Sequence, residues 1–143
     1  MKEQFELPLT ELLHFIKSAC HEGLYDILNE VRDINRTERN SVSNFINHFI
    51  TDVQRHLIEE ENTFFSEIEA GNDDIDRACI DQLMNDHDVI LDRLMEIRKL
   101  THNYEENTDY VLKLKEMDRI LTNHIKLENN ILFPMVLKRY LHQ

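Results

Sequence analysis

His124-Ile125-Lys126-Leu127-Glu128-Asn129-Asn130-Ile131-Leu132-Phe133 decides the fold, because an earlier stretch repeats its outline: His56-Leu57-Ile58-Glu59-Glu60-Glu61-Asn62-Thr63-Phe64-Phe65. Each reads His-x-x-x-Glu with a phenylalanine five residues past the glutamate. A lone histidine precedes each unit, His21 by 35 residues and His87 by 37. The surroundings of these lone histidines also match. His21-Glu22-Gly23-Leu24-Tyr25-Asp26-Ile27-Leu28 and His87-Asp88-Val89-Ile90-Leu91-Asp92-Arg93-Leu94 share His, acid, any, aliphatic, any, Asp, any, Leu. Residues four apart on a helix are stacked neighbours, roughly 5–6 Å between Cβ atoms. His-x-x-x-Glu therefore presents one nitrogen and one carboxylate to the same spot.

Working outward, apolar residues recur at spacings of three and four, as amphipathic helices require. One such face reads Ile80, Leu83, Met84, His87, Ile90, Leu91, Leu94; another reads Leu114, Met117, Leu121, His124, Glu128, Ile131, Leu132, Met135. The pattern predicts helices over about 8–34, 42–70, 74–101 and 108–141. Pro8 suits a first turn, Gly71-Asn72 a helix end, and Asp73, Asp74 and Thr108 are candidate caps. Pro134 falls inside the last helix and should bend or locally open it. Two glycines and two prolines in 143 residues are too few for a turn-rich β protein. The expected class is all-α, an antiparallel up-down-up-down four-helix bundle formed by a single domain over 1–143.

His21, His56, His87 and His124 each lie near the middle of a helix. In an antiparallel bundle of similar helices those midpoints share one level, so the four imidazoles should converge with Glu60 and Glu128. Two buried carboxylates without cations would cost several kcal/mol each, and no Lys or Arg lies nearby on those faces. Four imidazoles and two carboxylates make a ligand set for two metal ions, two nitrogens per ion with both glutamates shared. Without cysteine in the set, iron or manganese fits better than structural zinc. The His-Glu-x-x-His zinc-peptidase signature is absent, since Tyr25 stands where its second histidine belongs. A ferritin-like site needs Glu-x-x-His on two helices, and only Glu11-Leu12-Leu13-His14 has that spacing.

The remaining titratable residues get lesser roles. Asp52 lies one turn before His56 and Asp86 adjoins His87; either could hold a ligand's second nitrogen. His14 is two turns from His21, about 10 Å along the axis, and His48 is similarly placed to His56. Both are read as core or supporting residues, and His102 and His142 as solvated ends. Cys20 and Cys79 lack C-x-x-C spacing and read as reduced structural thiols. The net charge of −12 argues against nucleic acid and anionic membranes, which call for a basic stripe. No apolar run reaches a membrane span, and the start lacks a signal-peptide core, so a cytoplasmic location is expected.

These residues resemble the hemerythrin-like di-iron domain, and in particular the family of proteins that repair iron–sulfur centres after oxidative or nitrosative damage. That family's second motif reads His-x-x-Leu-Glu-Asn-Asn-x-Leu-Phe-Pro, as residues 124–134 do. The similarity extends through Leu9-Thr10-Glu11-Leu12-Leu13 and His21-Glu22-Gly23-Leu24 and covers nearly the whole chain. Carried over, the family's di-iron ligands fall on His21, His56, Glu60, His87, His124 and Glu128, the six already selected. Oxygen-carrying hemerythrins use a fifth histidine one turn after the ligand of the third helix; Leu91 stands there, which favours a repair-type site. Repair proteins usually carry a small cysteine-bearing domain ahead of the di-iron domain, and these 143 residues contain no counterpart.

The resemblance implies two non-haem iron ions, bridged by oxide or hydroxide. Three functions are compatible with it. The first is iron donation or repair, with damaged or apo iron–sulfur proteins as partners. The second is binding or sensing of dioxygen or nitric oxide, and the third is reduction of nitric oxide or peroxide.

Overall fold

The computed structural model describes residues 2–37, 39–71, 75 and 77–141, with side chains described for 9–37, 39–71, 75 and 77–139. Four helices account for nearly all of them, and no strand occurs among the described residues. Helix α1 spans 2–35, α2 spans 41–69, α3 is Arg77–Leu100 and α4 spans 109–141. Packing runs in a closed ring, α1 on α2, α2 on α3, α3 on α4 and α4 back on α1. The short connections force sequential neighbours to run antiparallel, giving the expected up-down-up-down bundle.

Local chemistry sets the helix ends. Asn40 and Ser43 cap α2 reciprocally: the Ser43 amide donates to Asn40 Oδ1 at 2.9 Å, and the Asn40 amide donates to Ser43 Oγ at 2.9 Å. Thr108 caps α4 by accepting from the Val111 amide. Gly71 follows α2 with φ of 70°, the left-handed conformation glycine adopts without penalty. Helix α1 begins at Lys2, so Pro8 lies inside it and not in its first turn. Proline's fixed φ is compatible with helix; what it removes is one N–H donor. Asp73 and Asp74 lie outside the described residues.

Three helices contain a π-turn: Ile16–His21 in α1, Glu60–Phe65 in α2 and Glu128–Leu132 in α4. Such turns hold one extra residue, closed by i→i+5 bonds. In α4 the Phe133 amide donates to the Glu128 carbonyl, just before Pro134, which has no N–H to offer. The extra residue shifts the register of the buried face. Leu132, Phe133 and Val136 point inward while Ile131 is 48% exposed, which corrects the straight-helix expectation that Ile131 faces the core. Met84, expected on the inner face of α3, is 37% exposed.

The core divides in two. One cluster contains Leu24, Ile27, Phe49, Val53, Leu94, Met117 and Leu121. The other contains Leu13, Ile16, Phe64, Phe65, Leu132, Phe133 and Val136. Each holds one end of the bundle together by burying apolar surface, worth about 25 cal/mol per Å². The level between them is polar.

Candidate metal centre

That polar level is formed by His21, His56, Glu60, His87, His124 and Glu128, all buried, with both glutamates at 0% exposure. Their ligand atoms form two overlapping groups, His21–His124 and His56–His87, each completed by Glu60 and Glu128, with atoms in a group within 4.8 Å of one another. Glu60 presents Oε1 to His21 Nε2 at 3.2 Å and Oε2 to His56 Nε2 at 3.3 Å. Glu128 Oε1 lies 3.1 Å from His87 Nε2 and 3.0 Å from His124 Nε2. Within each group the two Nε2 atoms face each other, at 3.3 Å for His21 and His124 and 3.1 Å for His56 and His87.

The arrangement fits cations better than it fits a hydrogen-bonded core. All four carboxylate oxygens are buried without a hydrogen-bond partner, although imidazole nitrogens approach so closely. Carboxylate oxygens left without a donor, beside imidazole nitrogens whose inner partners are only one another, are what two metal ions would satisfy. The donors are imidazole and carboxylate only, a set that suits iron. The two groups are interleaved between the copies of the repeat. Each takes one lone histidine and the His-x-x-x-Glu histidine of the other copy.

The π-turns explain the phenylalanine of the repeated pattern. In a regular helix at about 100° per residue, a residue five positions on points well away from the first. An i→i+5 turn swings it back towards the same side. Phe65 thereby stacks on His21, with centroids 5.6 Å apart and planes 8° apart. Phe133 stacks on His87 at 5.7 Å and 17°.

The outer nitrogens are held unequally. His21 Nδ1 lies 2.6 Å from Glu61 Oε1, His87 Nδ1 lies 2.8 Å from Asn129 Oδ1, and His56 Nδ1 lies 3.4 Å from Asp86 Oδ2. His124 Nδ1 is buried without a partner. Asp52 is a correction: its carboxylate pairs with the guanidinium groups of Arg93 and Arg55 and not with an imidazole of the centre. Sequence reasoning missed Glu61 and Asn129, although each directly follows the glutamate of its copy. His14 and His48 are exposed, not core, and so is His102; His142 lies outside the described residues. Cys20 and Cys79 are not joined by a disulfide, and both pack against the second apolar cluster.

Three of the imidazoles titrate differently in the metal-free protein. Burial pulls His124 down to about 3. Burial acts the same way on His21 and His56, but the Glu60 carboxylate, joined by Glu61 at His21, outweighs it and holds both above their ordinary value. The unfolded value is about 6.5. Below it the unfolded chain takes up a proton at His124 that the folded chain refuses, so stability falls as pH falls. Above it the folded chain keeps protons on His21 and His56 that the unfolded chain has lost, so stability falls as pH rises through those raised values. Metal-free protein is therefore expected to be most stable near about pH 6.5. Bound cations displace the protons of His21 and His56 and should abolish the alkaline fall. Thermal denaturation across this range, with and without iron, measures it; an alkaline fall that persists at full iron occupancy speaks against cations at these atoms.

Among known proteins, the chain is 28% identical over 135 residues to the iron-sulfur cluster repair protein YtfE of Musicola paradisiaca, covering 90% of this chain and 53% of that protein. It is 28% identical over 148 residues to the YtfE of Yersinia pseudotuberculosis, covering 92% of this chain and 67% of the relative. The chain thus spans about half to two thirds of the length of these curated relatives. The profile of the hemerythrin HHE cation binding domain matches residues 15–136, which include all six converging residues. Four antiparallel helices, a doubled His-x-x-x-Glu and that match together place the chain in the hemerythrin HHE cation-binding domain family.

Proposed function

We propose that this chain is a di-iron domain that acts in iron–sulfur cluster repair by giving up iron on reduction. One ion would sit between His21 and His124, the other between His56 and His87, with Glu60 and Glu128 shared. The observation that carries the metal reading is the buried pair of carboxylates with no hydrogen-bond partner on any oxygen. Support for the repair role comes from the two relatives named as iron–sulfur cluster repair proteins. Leu91 adds to it, because the place of a carrier's fifth histidine packs against the apolar cluster instead.

Held by these six residues, two iron ions would supply a metal that changes charge by one electron per ion and can leave. The chain's own donors favour departure after reduction. Four neutral imidazoles and two carboxylates give the pair only two negative charges. In a site of low dielectric the Coulombic hold scales with ion charge, so ferrous ions are held less strongly than ferric ones. Two clefts border the centre, one between α1 and α2 and one between α2 and α3. One is lined by His14, Lys17, Tyr25 and Glu61 beside His21; the other by Arg55, Asp86 and Arg93 beside His56. Among the described residues no helix is long and apolar enough to cross a membrane.

A ferrous chelator added to oxidised and to dithionite-reduced protein should extract iron at least about tenfold faster from the reduced form, an effect of about 1.4 kcal/mol on the barrier. An apo iron–sulfur acceptor should then gain cluster iron from the reduced protein. Equal, slow release in both states with reversible dioxygen binding supports a binder or sensor in place of a donor. Turnover of nitric oxide or peroxide without iron loss supports a reductase.

A further inference from the structure

His21 and His87 hold equivalent places in the two copies. Each is the histidine that precedes the His-x-x-x-Glu unit of its copy, each is buried, and each ring lies flat on the phenylalanine that closes a π-turn, Phe65 or Phe133. Each also turns Nδ1 towards the residue directly after a shared glutamate. There the copies part. After Glu60 stands Glu61, whose Oε1 is 2.6 Å from His21 Nδ1; after Glu128 stands Asn129, whose Oδ1 is 2.8 Å from His87 Nδ1. One contact is a carboxylate and the other a neutral amide.

We propose that Glu61 is a positioning residue that makes the two metal places inequivalent, strengthening His21 as a donor to the ion it shares with His124. The inference rests on the di-metal reading above. An imidazole bound to metal through Nε2 carries its proton on Nδ1, and a partner that accepts from that N–H fixes the ring and raises its basicity. A charged acceptor makes a bond roughly twice as strong as a neutral one. No other outer contact matches it. Asp86 stands 3.4 Å from His56 Nδ1, beyond the usual range for N–H···O, and its other oxygen accepts from Gln82 Nε2 at 3.0 Å. Asn129 is uncharged, and His124 Nδ1 is unpartnered. A single short anionic contact therefore serves four imidazoles, and it falls on one ion of the pair.

Glu61→Gln keeps an oxygen that can accept from Nδ1–H and removes only the charge. Asn129→Asp adds a charge at the equivalent place with little change of shape. Mössbauer spectra of protein loaded with iron-57, paired with chelator competition, read both ions separately. Wild type is expected to bind two irons and to give two quadrupole doublets of equal area. Glu61→Gln should shift one doublet and weaken one iron about tenfold, the lower end of the range for an outer contact. Asn129→Asp should shift the other doublet, and Glu61→Asp should restore the wild-type spectrum. Unchanged spectra and affinities in Glu61→Gln at two irons per chain overturn the proposal, as do both doublets moving together. If Glu61→Gln does not fold, an unmoved spectrum in Asn129→Asp overturns it. Wild-type protein that fails to bind two irons instead removes the di-metal reading on which the inference stands.

Discussion

Glu60→Gln and Glu128→Gln are each expected to empty the centre of both metals at once. Each carboxylate belongs to both ligand groups, and Glu60 spreads one oxygen to each side, towards His21 and towards His56. The amide keeps the shape of the side chain and removes one of the two negative charges that would hold the pair. The loss should exceed the roughly 10–100-fold typical of an outer contact, because an inner donor is lost to both ions. His21→Ala makes the contrast, since it strips one group and leaves His56 and His87 in place. Elemental analysis of protein expressed with ample iron decides between them. A glutamine variant that retains one tightly held iron shows that the carboxylates are not shared, and the two-metal reading then fails.

Phe65→Ala and Phe133→Ala should each destabilise the fold by about 3–5 kcal/mol, the usual cost of deleting a fully buried ring. Both side chains are essentially inaccessible and both belong to the second apolar cluster. Against a domain stability of about 5–15 kcal/mol, that is a large share, and it should lower the midpoint of thermal unfolding by on the order of 10 °C. The rings also brace the site, Phe65 against His21 and Phe133 against His87. Leucine at either position keeps most of the apolar burial and removes the flat stack. Phe65→Leu should therefore recover much of the stability while its metal affinity stays below wild type. Urea titration of the metal-free variants isolates the packing effect. A loss under about 1 kcal/mol for Phe65→Ala would show that the ring is not enclosed as described.

Much of this protein is legible in the order of its residues, and the reason is periodicity. Spacings of three and four state which residues share a helix face, so spacing alone pairs His56 with Glu60 and His124 with Glu128. The doubled pattern then singles out six residues, and all six converge at the level between the two apolar clusters. Gly71 and Thr108 mark helix ends through chemistry confined to a few neighbouring residues. Local rules suffice where the interaction itself is local.

What only the tertiary structure decided lies between helices. Spacing cannot say that His21 shares its group with His124 and not with His56, because that depends on how the four helices are ordered and rotated in the ring. The π-turns were also out of reach apart from the opening expected near Pro134. An extra residue per turn is unfavourable alone and persists only where packing supports it, here by bringing Phe65 and Phe133 under the imidazoles of other helices. The same turns move Ile131 outward and set Glu61 and Asn129 against His21 and His87. Asp52 shows the converse: it stands at the right spacing on α2, yet the guanidinium of Arg93 on α3 claims it. A residue's sequence neighbours name the face it occupies, and its partners across the core determine what it does there.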